Sequence, residues 1–155
     1  MTNPFPFTSG NILNASELNA IGEAETWTPT WHQGVTVGNG TVVAYYQQVN
    51  DIVAYSAVFT LGSTSAVTAN VLVSVPVAGQ DVSEIANMSL CTYYDASAVR
   101  SYYGRGQKYG TDRFRPYIYK ADSTYAFGAG LSSTAPFTWT TSDIMTIGGV
   151  YRSGT

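Results

Sequence analysis

His32 is the only histidine and Cys91 the only cysteine, so nucleophilic or metal chemistry must run through one of them or through carboxylates alone. A Ser/His/Asp or Cys/His relay would have to use His32, which stands between Trp31 and Gln33, and no G-x-S-x-G nucleophile turn is present. One His and one Cys, far apart in sequence, do not make a metal site, which needs several ligands at ligand spacing. A glycosidase needs only two carboxylates, and Asp81, Glu84, Asp95, Asp112, Asp122 and Asp143 are present, but their spacing selects no pair. Gly38-Asn39-Gly40 and Gly104-Arg105-Gly106 lead into neither a G-x-x-x-x-G-K loop nor a helix start, so neither is a phosphate cradle. The expectation is a protein that binds rather than catalyses, with no cofactor and no metal; His32 then has a structural or surface place and Cys91 is a small core residue.

Binding chemistry is concentrated between 100 and 120. There Arg100, Arg105, Lys108, Arg113, Arg115 and Lys120 interleave with Tyr102, Tyr103, Tyr109, Phe114, Tyr117 and Tyr119. Such mixing can serve single-stranded nucleic acid. A formal net charge of -3 opposes that use, because phosphate binding draws on positive potential and counterion release. A tyrosine offers a flat apolar face and a hydroxyl at low entropic cost, which suits a sugar ring or a protein interface. Tyr93, Tyr94, Tyr102, Tyr103, Arg105, Tyr109 and Arg113 are therefore the candidate binding residues. The competing reading sends half of these tyrosines into the core by strand alternation.

The elements that must position them are β-strands. Charged residues are 11% of the 155-residue chain and hydrophobic ones 45%, which excludes disorder and coiled coil. No apolar run approaches the ~20 residues of a membrane span, and no Lys or Arg precedes the apolar Phe5-Pro6-Phe7, as a secretory leader would require. Residues 1–99 carry seven acids and no bases, whereas 100–155 carry all seven bases and three acids, a split of -7 and +4. Head-to-tail complementarity or a basic binding face in the second half would each account for it.

From Trp27 onward Val, Thr, Tyr and Ile dominate and turn residues recur roughly every eight to twelve positions, which predicts about eight strands. The expected segments are 34–37, 41–48, 52–61, 70–77, 87–94, 113–120, 123–128, 136–141 and 144–152. The first two are expected to form a hairpin about Asn39-Gly40. In 52–61, Val53, Tyr55, Ala57, Phe59 and Leu61 share one face, and the partly apolar opposite face predicts cover on both sides. The fold class is all-β, an antiparallel β-sandwich or jelly-roll-like domain over 27–155, preceded by a short N-terminal arm and helix in 1–26. The helix, over 15–21, has Asn14 as N-cap with Glu17 closing a capping box, a Leu13/Leu18 staple and Gly22 as its stop. Two turns are marginal alone, so Leu13, Leu18 and Ile21 must dock on the domain or on another protein.

Two stretches carry a resemblance. Phe7, Gly10, Leu13, Ala15, Leu18 and Asn19 fit an F-x-x-G-x-x-L-x-A-x-x-L-N segment, which resembles the start of many bacteriophage tail-associated proteins. Trp27-Thr28-Pro29-Thr30-Trp31, Val37-Gly38-Asn39-Gly40-Thr41, Tyr46-Gln47-Gln48-Val49 and Phe59-Thr60-Leu61-Gly62-Ser63-Thr64 resemble a β-rich domain of phage minor tail and tail-fibre proteins. Together they cover roughly residues 7–64. Members often carry Gly-Lys where this chain has Asn50-Asp51, so a turn-borne positive charge is missing here. The resemblance implies a structural virion protein assembled in the bacterial cytoplasm. It would be a homotrimer docked on other virion proteins through Leu13, Leu18 and Ile21, exposing the β domain and its Tyr/Arg positions to a host glycan or protein. The rival readings are a capsid decoration or head-fibre protein, a non-viral carbohydrate-binding module and a polysaccharide depolymerase.

Overall fold

Alternation in the strand Ile52–Thr60 sets the inside of the molecule: Val53, Tyr55, Ala57 and Phe59 are buried, and so is Leu61 just beyond it. Among the described residues the other face is covered only in part: Ala54 and Val58 are half-buried, and Ile52 is 44% exposed. The computed structural model describes Gly10 and residues 22–80, 87–121 and 126–154, and among them every element is a strand. The helix expected over 15–21, with Leu13, Leu18 and Ile21, lies outside the described residues.

In chain order the strands are β1 (Glu25–Thr26), β2 (Trp31–Thr36), β3 (Thr41–Val49), β4 (Ile52–Thr60), β5 (Ala66–Ser74), β6 (Asn87–Asp95), β7 (Arg100–Tyr109), β8 (Arg113–Ala121), β9 (Ala126–Gly130) and β10 (Ile144–Arg152). All pair antiparallel in the order β1-β3-β4-β10-β6-β7-β8-β5-β2, with β9 on the far half of β8. The fold is an all-β sandwich. β2 and β3 lie near opposite ends of that order although only residues 37–40 join them, so the sheet must curl until its two ends meet at this turn. Tyr55 of β4 meets Phe114 of β8 across the interior at 5.9 Å, and Trp31 of β2 meets Phe59 of β4 at 5.4 Å. Burying such a large apolar side chain contributes roughly 1.5–3 kcal/mol.

Three expectations about elements are corrected. The hairpin between 34–37 and 41–48 does not form, because β2 pairs with β5 and β3 with β4 and β1. Its turn is centred on Gly38 and Asn39, with the Gly40 N–H donating to Val37 O at 2.9 Å and Gly38 at φ 57°. Asn39 is spent on a neighbouring turn instead: its Oδ1 accepts the Thr64 N–H at 2.9 Å, and its own N–H donates to Thr64 Oγ1 at 2.9 Å. Residues 136–141 are not a strand. They are an irregular segment that drops Phe137 into the core and lets Trp139 Nε1 donate to Ser132 O at 3.0 Å. Finally, β7 is a full strand that no strand expectation covered.

The turn Asn50-Asp51 joins β3 to β4, with Asn50 at φ 56°, a conformation asparagine tolerates. Asp51 accepts both Nε and Nη2 of Arg152, and this pairing lowers its carboxyl below the usual range. The turn thus ties the end of β10 to the β3/β4 corner.

Cys91 is the small core residue expected, fully buried, and burial pushes its thiol up to about 11. At pH 8 such a thiol holds about a thousandth of its population as thiolate. Iodoacetamide is expected to label the native protein only at the rate of global opening and to label it within minutes in denaturant. Rapid labelling of the native chain at pH 8 would show that Cys91 is not in the core.

Candidate functional site

β7 is paired with β6 along Arg100–Gln107 but with β8 only along Gly104–Tyr109. The first residues of β7 and the last of β8 therefore splay apart. Gly104 is the last contact before the split, where its bare Cα lies against the carbonyl of Tyr117. Into the opening falls a groove of about 460 Å³ whose walls are Tyr102 and Tyr103 from β7 and Tyr119 and Lys120 from β8. Ala129 from β9 and Pro136 from the irregular segment complete it. Tyr103 is 58% and Tyr119 53% exposed, while Tyr102 is half-buried and rests on Phe137 at 5.3 Å. The volume lies within the range of small-ligand sites, and unpaired strand edges beside the rings add backbone donors and acceptors.

Of the seven candidate binding residues, Tyr102 and Tyr103 come together in this groove. Arg105 is one row away on the outer face, its guanidinium 5.8 Å from the Tyr117 ring. Tyr109 and Arg113 face each other near the other end of the β7/β8 ladder; Arg115 stacks on Tyr109 at 4.7 Å, and Arg113 Nε sits 3.4 Å from Asp112. Tyr94 is half-buried opposite Ile144 and Ser101. Tyr93 is corrected: it is fully buried, meets Trp139 edge-on at 6.0 Å and donates its hydroxyl to Tyr117 O at 2.9 Å. It can touch no partner, and burial raises its phenol well above the ordinary value. Tyr119 and Lys120 belong to the basic-aromatic stretch without being among the seven candidates, and Ala129 and Pro136 carry no sequence signal for a site.

Of the six carboxylates, Asp112 lies beside Arg113 and Asp95 and Asp143 hold turns, while Asp81, Glu84 and Asp122 lie outside the described residues. Asp143 is buried and accepts from the Ala96 N–H at 2.9 Å, the Thr140 N–H at 2.5 Å and the Thr140 hydroxyl at 3.2 Å. Asp95 accepts from Ser97 Oγ at 2.7 Å and the Ala98 N–H at 2.9 Å; the serine bond foremost lowers its carboxyl below the ordinary value. Both acids shape the turns at one end of the sandwich. His32 is exposed on β2. Among the described residues no three His, Cys, Asp or Glu side chains gather as metal ligands would.

No family model, curated protein or solved structure matches this chain.

Proposed function

We propose that the chain is a structural virion protein of a bacteriophage, a tail-fibre, receptor-binding or minor tail component whose β domain binds a host-surface saccharide. The observation that carries the binding half is the splayed β7/β8 groove, where Tyr102, Tyr103 and Tyr119 stand around an opening sized for a small ring. The phage half is supported by the resemblance of residues 7–64 to tail-associated proteins. Stacking on a tyrosine ring contributes about 1 kcal/mol beyond buried area, so Tyr103→Ala should weaken glycan binding about fivefold or more. Because Tyr103 is largely exposed, the same change should leave stability within about 0.5 kcal/mol. Competition with phage adsorption by the purified protein, lost in Tyr103→Ala, is the test. A wild-type chain that neither binds host cells nor competes would sink the reading.

The homotrimer belongs to this proposal and has a face available to it. The outward residues of β3, β4 and β10 include exposed Val43, Tyr45, Val49, Ile52 and Val150, and their one charge, Arg152, is already paired with Asp51. Copies of such a face can meet without burying an unpaired charge. Light scattering is expected to give three times the chain mass, and Val43→Asp with Val150→Asp to return it to one. A wild-type monomer would remove the trimer from the proposal.

A further inference from the structure

Beyond the groove, the outer face of β7 and β8 continues as a ladder of tyrosine and arginine. By register Arg105 stands opposite Tyr117, Gln107 opposite Arg115 and Tyr109 opposite Arg113. These six positions point away from the core, being half-buried or exposed while Gly104, Gly106, Lys108, Phe114, Pro116 and Ile118 between them are buried. Each row advances two residues, so three rows below Tyr103 and Tyr119 extend the surface by roughly 20 Å. That is far longer than the groove alone requires.

Three details of this face point to a charged ligand. The guanidinium of Arg115 lies on the Tyr109 ring, and among the described residues it has no carboxylate partner. A planar guanidinium held on an aromatic face with no carboxylate beside it is preorganised to take a carboxylate or phosphate oxygen through its Nη groups. Second, Asp112 beside Arg113 is the only acid that the described residues bring to this ladder. Third, β9 places Gly130 opposite Tyr117 and Gly128 opposite Tyr119. A Cβ on Gly130 would meet nothing, so the strand beside the ladder raises no wall on that flank.

We infer that the groove is one end of a track along β7 and β8 for an acidic polysaccharide, a polymer whose sugars carry carboxylate or phosphate groups. Tyr103, Tyr119 and Tyr109 stack on sugar rings, and Arg105, Arg113 and Arg115 take the anionic substituents between them. The inference rests on the saccharide reading and adds the charge and length of the ligand. Three arginines gathered on one ladder of a chain with net charge -3 make the binding local and salt-sensitive.

The test uses the full chain against purified bacterial capsular polysaccharides, some neutral and some bearing uronate or phosphate, with a twenty-residue oligothymidylate as a non-sugar polyanion. Binding is expected to the acidic polymers alone, weakening as salt rises. Arg115→Gln should lower affinity about tenfold, the worth of a charge-assisted hydrogen bond, and Arg105→Gln with Arg113→Gln and Arg115→Gln should abolish it. Arg115→Lys keeps the charge but loses the planar fork, and should recover only part of the affinity. Circular dichroism and melting of each variant separate lost binding from lost fold. Binding confined to neutral polymers would overturn the acidic track and leave the saccharide reading standing. Binding to no polysaccharide would end both. Oligothymidylate bound as tightly as the best polysaccharide, or an acidic polymer bound equally by the triple variant, would overturn the track.

Discussion

Asp143→Ala is expected to lower the melting temperature by about 6–12 °C, the equivalent of roughly 3 kcal/mol in a chain of this length. The carboxylate is fully buried and gathers three donors from two segments: the Ala96 N–H of the β6/β7 turn and the N–H and hydroxyl of Thr140. Its own backbone carbonyl accepts the Leu61 N–H at 2.9 Å, so a third segment is held at the same point. Alanine leaves two N–H groups and the Thr140 hydroxyl without the acceptor that joins their segments, and a partly buried donor left without an acceptor costs more than the bond contributed. Asn retains one acceptor oxygen, so Asp143→Asn should lose about half as much. Thermal melts followed by circular dichroism decide it: an unchanged melting temperature for Asp143→Ala would mean that water replaces the carboxylate and that the turns do not depend on it.

What the sequence made legible follows from which contacts are local. Along β4 and just beyond it, five alternating apolar residues from Val53 to Leu61 announce a buried face, and all five are buried, because period-two alternation is written into adjacent positions. The hairpin expected at Asn39-Gly40 failed for the opposite reason. A turn sequence constrains four residues, whereas the partners of β2 and β3 are chosen by β5 and β4, further along the chain. β7 was hidden by Gly104 and Gly106, which carry poor strand propensity but are required where backbone presses on Tyr117 and side chain on Ser89. Tyr93 shows a signal that was present and unused: it stands two residues from Cys91, already read as core, so alternation places both on one face. The groove itself was not legible. Tyr102, Tyr119 and Pro136 come from three segments, and only the splay of β7 from β8 brings them together.

Gly104→Val should cost about 3 kcal/mol or more through overpacking against main chain. A Cβ there would fall on the carbonyl oxygen of Tyr117, with Tyr117 C at 2.8 Å and Ile118 Cα at 3.0 Å. All three are backbone atoms, so no rotamer change relieves the clash and β8 itself must move. The same carbonyl accepts the hydroxyl of buried Tyr93, so shifting it also strands a phenol in the core. Gly130→Ala is the matched control, because a Cβ there meets nothing and the residue is equally a strand glycine; it should change stability by no more than about 0.5 kcal/mol. Urea unfolding of the three proteins measures the difference, and a Gly104→Val midpoint equal to that of Gly130→Ala would refute the close approach. Gly104 also sets where the strands part, so the smaller Gly104→Ala, if it folds, should weaken glycan binding without touching any tyrosine. The residue that closes the β7/β8 ladder is then also the one that opens the groove.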